Sequence, residues 1–361
     1  MPGGLTKNTK QPIFRTPKRR AAFALFLVAV VVVLAISLAF VDGARVAVDR
    51  QLVEVPALPA AAEGFSTLLI GDLHGKTFGE NHDLIINALE QTRVDAIVFA
   101  GDVCGPDGDA EAFFALIDRL LAHASTANKP IFILGGDEDP PASQFKGIDR
   151  VPGAWVEGAM ERGAVLLDSP QLVTAGDARV WFSYGLSPIL EIDESVASLS
   201  DELSMLIKQR DITKTEQEQR ISELRYNLKI LERTQEMRAL MQPSDVQIGV
   251  LHHPLTDAFL DVLNTTQDEN ARNFRSLDVM LAAHYCGGGI RLPFVGALHV
   301  PAPTLPNGGW WPPQALTRGQ AEVCGITQVV TPGLGVSAAQ RPFRARLLNT
   351  PSITIVRLTG G

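Results

Sequence analysis

From Ser66 onward, short apolar runs alternate with helical periods. Ser66–Ile70, Ala96–Ala100 and Ile131–Leu134 are compact, mostly apolar runs, the pattern of strands buried on both faces. Between them, Asp83–Gln91 and Ala110–His123 space their apolar residues by three and four, which predicts amphipathic helices. Strand and helix in alternation imply an α/β sheet whose ligands gather at the carboxyl ends of the strands. Further strands are expected at Val180–Tyr184, Val246–Leu251 and Val279–Ala283. The tail from Thr327 to Leu358 alternates like paired strands, with Gly333-Leu334-Gly335 as their turn.

Two stretches interrupt this rhythm. Between Ile189 and Gln242 there is neither glycine nor proline, and apolar stripes run through Val196, Leu199, Leu203 and Leu206, then Ile221, Leu224, Leu228 and Leu231. One helix of that length would extend on the order of 70 Å, yet the flanking strands should share a sheet. Residues 191–242 are therefore expected to fold back as an antiparallel helical hairpin. It is either a self-paired protrusion with a solvated charged face or a docking arm or lid for a partner. The second stretch is at the N-terminus. Residues 1–20 carry Lys7, Lys10, Arg15, Lys18, Arg19 and Arg20 and no acid, and Ala21 to Val41 then runs without a charge. About 20 apolar residues suffice to cross the bilayer core. The basic flank should stay in the cytoplasm and place everything after Asp42 outside it. The length of the run and the lack of a small-x-small cleavage site favour an uncleaved single-pass anchor over a signal peptide. Residues 42–64, with Pro56, Pro59 and an alanine cluster, read as a linker to a domain spanning 65–361.

Composition narrows the function. The chain has 361 residues, 46% apolar and 20% charged, with a net charge of -8. It has ample material for a core, and beyond the first twenty residues no basic face to suggest a nucleic-acid partner. Three cysteines, Cys104, Cys286 and Cys324, are too few and too scattered for a disulfide framework or a zinc ribbon.

Candidate chemistry lies at the strand ends. The first three strands each end in a Gly-Asp corner: Gly71-Asp72, Gly101-Asp102 and Gly136-Asp137. The first continues to His74, and residues two apart on a strand face the same way, so Asp72 and His74 can reach one ion. Later strands lead to His252-His253 and to His284-Tyr285-Cys286. This mixture of oxygen and nitrogen donors suits two divalent transition ions, Mn, Fe or Zn, bridged by a carboxylate.

With these residues in place, the chain resembles the calcineurin-like metallophosphoesterase superfamily, and within it the membrane-anchored phosphodiesterases of the bacterial cell envelope. Those typically read Asp-Leu-His-Gly-Lys-x-Phe-Gly, matched by Asp72 to Gly79, and Gly-His-x-His-Gly-Gly-Gln-x-Arg-Leu-Pro, where Ala283 to Pro293 reads Ala-His-Tyr-Cys-Gly-Gly-Gly-Ile-Arg-Leu-Pro. The resemblance covers Ser66 to Leu358 apart from the helical insertion. It implies a β-sandwich flanked by helices. It also implies that Asp72 and His74 bind a first metal, that Asp102 bridges, and that His252 and His284 bind a second. The resemblance further implies hydrolysis of a phosphodiester by a hydroxide bridging the two metals.

Three positions depart from the family pattern. Its last histidine falls on Cys286, which is a thiolate ligand, a disulfide partner for Cys104 or a relic. Its metal-binding asparagine falls on Gly136, and its Gly-Gly-Gln glutamine falls on Gly289. Asp137 takes the place of the residue that assists the leaving group, with the option of entering the metal shell. His253 and His82 read as outer or surface histidines.

Two functions follow. The first is an anchored extracytoplasmic phosphoesterase acting on a phosphoester of the cell envelope. The second is a catalytically impaired relative that keeps the fold as an envelope binding module through its helical hairpin. Trp310-Trp311, followed by Pro312-Pro313, either meets a bilayer or lipid-substrate rim or packs against the glycines and prolines of its own loop.

Overall fold

The computed structural model describes residues 17–43, 45–187, 192–208, 214–257, 277–300, 309–323, 325–337 and 346–361. In chain order its first half comprises α1 (Pro17–Gly43), β1 (Ala47–Val55), β2 (Ser66–Ile70), α2 (Asp83–Ala88), β3 (Ala96–Ala100), α3 (Glu111–Ala122) and β4 (Ile131–Leu134). A small hairpin, β5 (Ser143–Lys146) and β6 (Asp149–Pro152), then leads to α4 (Ala154–Glu161) and β7 (Ala164–Leu166). The second half continues with β8 (Gln171–Ala175), β9 (Ala178–Tyr184), α5 (Asp193–Lys208), α6 (Lys214–Ala239), β10 (Val246–Val250) and β11 (Val279–Ala282). Last come β12 (Ile290–Leu292), β13 (Gly296–Val300), β14 (Gly309–Trp310), β15 (Gly319–Val323), β16 (Ile326–Val330) and β17 (Ser352–Gly360).

Two six-stranded sheets face one another. The first has the order β1-β17-β2-β3-β4-β7 and the second β15-β16-β11-β10-β9-β8. The period of two along each strand assigns its side chains to one face or the other. Leu69, Val98 and Phe132 point inward and meet Phe182, Ile248 and Leu281 of the second sheet. Their neighbours Leu68, Ile97, Phe99 and Ile133 point outward and are covered by Ile85, Phe113 and Trp155 of the helical layer. Both faces of β2, β3 and β4 are thus buried, which is why these strands are nearly continuous apolar runs. The result is a mixed α/β sandwich with helices outside its first sheet.

The topology fixes where the chemistry gathers. β2, β3 and β4 are adjacent and parallel, so their carboxyl ends lie side by side. β9, β10 and β11 are likewise parallel neighbours in the second sheet. Corners from one sheet therefore meet histidines from the other at one rim of the sandwich.

Two sequence expectations are corrected here. Residues 47–55 are not linker: they form β1, parallel to β17 along their whole length. The residues Ala47 to Val55 alternate in burial toward their carboxyl end, a strand signal masked by the proline- and alanine-rich residues that follow. The tail strands are also not partners of each other. β16 lies in the second sheet between β15 and β11, while β17 lies in the first between β1 and β2. Alternation marks a strand but says nothing of its neighbour.

α5 and α6 lie antiparallel. Asp193 accepts from Gln235 at 2.5 Å, Glu202 pairs with Arg220 at 2.7 Å, and the Leu206 carbonyl accepts from Gln217 at 2.6 Å. Helix α6 also lies along the β5–β6 hairpin, where the Arg150 N–H donates to Ser222 Oγ at 2.9 Å. At its carboxyl end Asp245 is buried and accepts from the Trp181 indole at 2.7 Å and from the Gln242 N–H at 2.9 Å, with Arg179 Nε 3.4 Å away. Asp245→Ala would leave the buried Trp181 indole N–H without its acceptor and remove the ion-pair partner of Arg179, which keeps its hydrogen bond to the Leu240 carbonyl. Such an unsatisfied buried group costs about 1–3 kcal/mol. We expect the variant to unfold at clearly lower urea concentration with an unchanged m-value, measured by intrinsic fluorescence.

Among the described residues, no helix is long and apolar enough to cross a membrane. The stretch of α1 with continuously described side chains, residues 17–34, includes Lys18, Arg19 and Arg20.

Candidate metal centre

The site lies where the corners after β2, β3 and β4 meet the turns after β10 and β11. The strand ends at Ile70, so Asp72 and His74 do not share a strand face as the sequence reading held. Both have left-handed backbone conformations, with φ of 50° and 49°. Asp102, His284 and Cys286 do as well, at 53°, 78° and 48°. Left-handed non-glycine residues cost on the order of 1 kcal/mol or more each and concentrate at functional sites. The loops are held there by main-chain hydrogen bonds, from Asp72 N–H to Gly101 O at 3.1 Å and from His74 N–H to Asp102 O at 2.9 Å. Gly101 lets the loops close, because a Cβ on it would sit 2.6 Å from His252 Nδ1.

The buried Asp72 carboxylate accepts the backbone N–H of His284 at 3.0 Å and of Cys286 at 3.2 Å. It thereby ties the two sheets together at the rim. His74 Nε2 lies 3.6 Å from Cys286 Sγ and 3.8 Å from Asp102 Oδ2, and its Nδ1 lies 3.1 Å from Glu138. On the other side of Asp102, the same Oδ2 is 3.3 Å from His252 Nε2. His252 donates through Nδ1 to the Ala100 carbonyl at 2.8 Å, if Nδ1 carries the proton, which leaves Nε2 facing the site. His284 Nδ1 is 3.1 Å from that Nε2 and 3.8 Å from Asp137. Asp137, more than half exposed, meets His253 Nε2 at 2.9 Å.

The donor atoms fall into overlapping groups: Asp72, His74 and Cys286; His74, Asp102 and Glu138; Asp72, Asp102 and His252; and Asp137, His252, His253 and His284. Within each group the donor atoms lie within 4.8 Å of one another, the spacing that one cation can bridge. Asp102 belongs to two groups and stands between the imidazoles of both halves. All six residues named as ligands from the sequence, together with Asp137, are thus brought to one rim.

The electrostatics show what charge the site favours. Burial penalises a charged imidazole at His74, but hydrogen bonds to Cys286 and Glu138 outweigh it and push the pKa up to about 11. At His252 burial is likewise outweighed, here by the Asp102 hydrogen bond, and the pKa rises to about 9. Burial also opposes ionisation of Asp102, yet the His252 partner brings its pKa down to about 2. His284 moves the other way, to about 4, through burial and the repulsion of His253 and His252. Burial raises Asp72 and the Cys286 thiol. Buried carboxylates here favour positive charge beside them, which is why the pKa values of His74 and His252 rise. A divalent ion would supply the same charge, and the donor set fits one.

Several supporting residues escaped the sequence reading. Glu138 orients His74 and donates its own N–H to Asp102 Oδ1 at 2.8 Å. Its only signal was an acidic run, Asp137-Glu138-Asp139, directly after a buried strand. Asp139 accepts the N–H groups of Cys104 at 2.7 Å and Gly136 at 2.8 Å, which fixes the corner. Asn349 donates to the carbonyls of Cys286 and Gly288, and the buried Arg346 donates to the Asn349 carbonyl at 2.8 Å. Nothing in the local sequence marks those two. Cys104 and Cys286 are both buried free thiols, so the disulfide alternative does not hold in this structure. His253 joins the rim cluster, and its ring centroid is 3.9 Å from that of His284. His82 is neither surface nor part of the site: it is buried, with Nε2 2.8 Å from the Ala112 carbonyl.

Four overlapping donor groups at one rim of a two-sheet sandwich make a candidate centre for divalent ions. Residues 65–287 match the calcineurin-like phosphoesterase family, and the chain belongs to it. Among solved structures, a phosphopantetheinyl hydrolase (PptH) from Mycobacterium tuberculosis is similar at 14% identity with a TM-score of 0.36. The likeness covers 79% of this chain and 96% of that one. No curated protein matches.

Proposed function

We propose that the protein is a membrane-anchored phosphodiesterase that works outside the cytoplasm on a phosphoester of the cell envelope, using two divalent ions. The observation that carries this reading is the position of Asp102, whose Oδ2 lies 3.8 Å from His74 Nε2 and 3.3 Å from His252 Nε2. One carboxylate placed between two donor groups is what a dinuclear site requires. Asp72, His74, Asp102 and Cys286 would hold the first ion, and Asp102, His252, His284 and Asp137 the second. Bound there, the ions would polarise the phosphoryl oxygens and neutralise the charge that builds up on them. Cys286 biases the first position toward zinc.

The chain's own residues do the rest. Glu138 and the Ala100 carbonyl fix which imidazole nitrogen faces inward. Asp72 also accepts the N–H groups of His284 and Cys286, one on each oxygen, and so holds both residues in place while a second lone pair on each oxygen stays available. His253, oriented by its 2.9 Å contact with Asp137, sits at the mouth within reach of a departing alkoxide. The anchor is supported by α1, whose Phe23, Leu25, Phe26 and Val31 are all exposed. Its amino end is basic, which orients such a helix with that end in the cytoplasm.

A second reading, a binding module without turnover, is favoured by one observation. A Cβ at Gly136 would overlap the Asp102 carboxylate, so the family's asparagine has no room there.

Elemental analysis of the purified chain, produced with Mn and Zn available, separates the two. We expect two ions per chain. We also expect hydrolysis of bis(para-nitrophenyl) phosphate that chelation removes and metal restores. One ion or none, with no hydrolysis, would overturn the enzyme reading in favour of the binding module.

A further inference from the structure

The three-stranded sheet β12–β13–β14 ends in an apolar tip. Phe294, in the turn between β12 and β13, is fully exposed, and its neighbours Leu292 and Val295 are exposed too. Trp310 lies opposite His299 across β13, and Trp311 donates its N–H to the Leu298 carbonyl at 2.8 Å. The two indoles are 67% and 69% exposed. Among the described residues of their loop, Gly309, Pro312 and Pro313 therefore do not bury them. A soluble surface rarely leaves aromatic residues grouped in this way without something to meet.

The sheet that bears the tip is tied to the start of the domain. Arg45 is two residues beyond the end of α1, a reach of about 7 Å at most. It donates through Nη2 to Thr350 Oγ1 at 3.2 Å. Leu347, three residues before Thr350, exchanges backbone hydrogen bonds with Gly289 and Arg291 at the head of β12, both at 3.0 Å. A second tie runs from β1. Asp49 accepts from Arg318 Nε at 3.0 Å, and Gln314, close to Arg318, donates to the carbonyls of Ala297 and Pro312. The sheet bearing the tip is thus joined at two points to the first residues after α1. It is also joined to the site, because Asn349 holds the carbonyls of both Cys286 and Gly288.

We propose that this tip is a second membrane contact: Phe294, Val295, Trp310 and Trp311 enter the headgroup region of the bilayer that α1 crosses. Tryptophan favours that region because its ring is apolar and its N–H still finds water. The contact holds the rim of the sandwich close to the lipid surface, so the substrates presented to it are phosphoesters carried by the membrane. The inference rests on the anchor reading of α1 given above.

Tryptophan fluorescence of the full chain reconstituted in phosphatidylcholine–phosphatidylglycerol vesicles tests it. The other two tryptophans, Trp155 and Trp181, are buried in the domain, so Trp310 and Trp311 are the ones open to quenching. With acyl chains brominated near the headgroup, we expect the emission to be quenched. In the double variant Trp310→Phe, Trp311→Phe that quenching should be lost. Resistance to alkaline extraction from the same vesicles reports on α1 separately. A chain that resists extraction but is not quenched by brominated lipid, and whose indoles stay open to aqueous iodide, overturns the proposal and leaves the anchor standing. A chain that is extracted yet quenched overturns the anchor and leaves the tip as a lipid contact in its own right. Loss of iodide access without bromolipid quenching, as a second copy or another protein covering the tip would give, also overturns it.

Discussion

Asp102→Asn is expected to remove metal from both halves of the site and to lower phosphodiester hydrolysis by about a thousandfold or more, roughly 4 kcal/mol at about 1.4 kcal/mol per tenfold. The effect is large because one oxygen, Oδ2, faces His74 on one side and His252 on the other. Asp72 also shares donor groups with His74 and with His252, but its two oxygens accept the backbone N–H groups of His284 and Cys286, whereas Asp102 Oδ2 faces the two imidazoles directly. The substitution keeps the shape of the side chain, and the amide oxygen can still accept the Glu138 N–H that Oδ1 accepts at 2.8 Å. The corner should therefore stay folded, and a loss of activity would not reflect a collapsed loop. What disappears is the negative charge that holds the positive charge of the site, whether protons or metal ions carry it. Elemental analysis should show ions lost from both halves, with a thermal unfolding profile close to that of the parent. Wild-type metal content and turnover in the variant would refute the shared-ligand role of Asp102.

The legibility of this site in the sequence was uneven, for physical reasons. β2, β3 and β4 were readable to the residue because strands covered on both faces are continuous apolar runs, and each ends in a Gly-Asp corner that cannot stay in a sheet. The same corners led to Asp72, Asp102 and Asp137, and the later strand ends led to His252, His284 and Cys286. The means by which Asp72 and His74 converge was not readable. They meet through left-handed turns held by main-chain hydrogen bonds, not through a shared strand face.

Residues that act through distant partners were silent. Asn349 reaches carbonyls more than sixty positions away in the chain, and no local pattern encodes such a contact. β1 and β17 show the same limit. Each carries a strand signal, but their pairing with each other joins the two ends of the domain. Trp310-Trp311 was visible as a motif, yet only the structure could show that both rings are exposed.

Gly136→Asn, the substitution that would bring back the family's usual ligand, is expected to damage the protein instead of repairing it. A Cβ at this position would overlap both the carboxylate and the backbone nitrogen of Asp102. Neither can move freely. The Asp102 carboxylate is held by Glu138 and His252, and its carbonyl accepts the His74 N–H. On the other side, the Gly136 N–H is fixed by Asp139 at 2.8 Å. Forcing a side chain into such a junction typically costs about 1–3 kcal/mol, a fall in melting temperature on the order of 5 °C for a domain of this size. The displaced carboxylate is the one shared by both metal groups, so metal content and hydrolysis should fall with stability. Asp137 enters the rim from the next position, beside His284 and His253. Recovery of the usual ligand set would then require Gly136 to change together with the loop that carries it. A Gly136→Asn variant with raised melting temperature and raised turnover would show that the corner is open, and that Asp137 is not the residue on which the second half of the site depends.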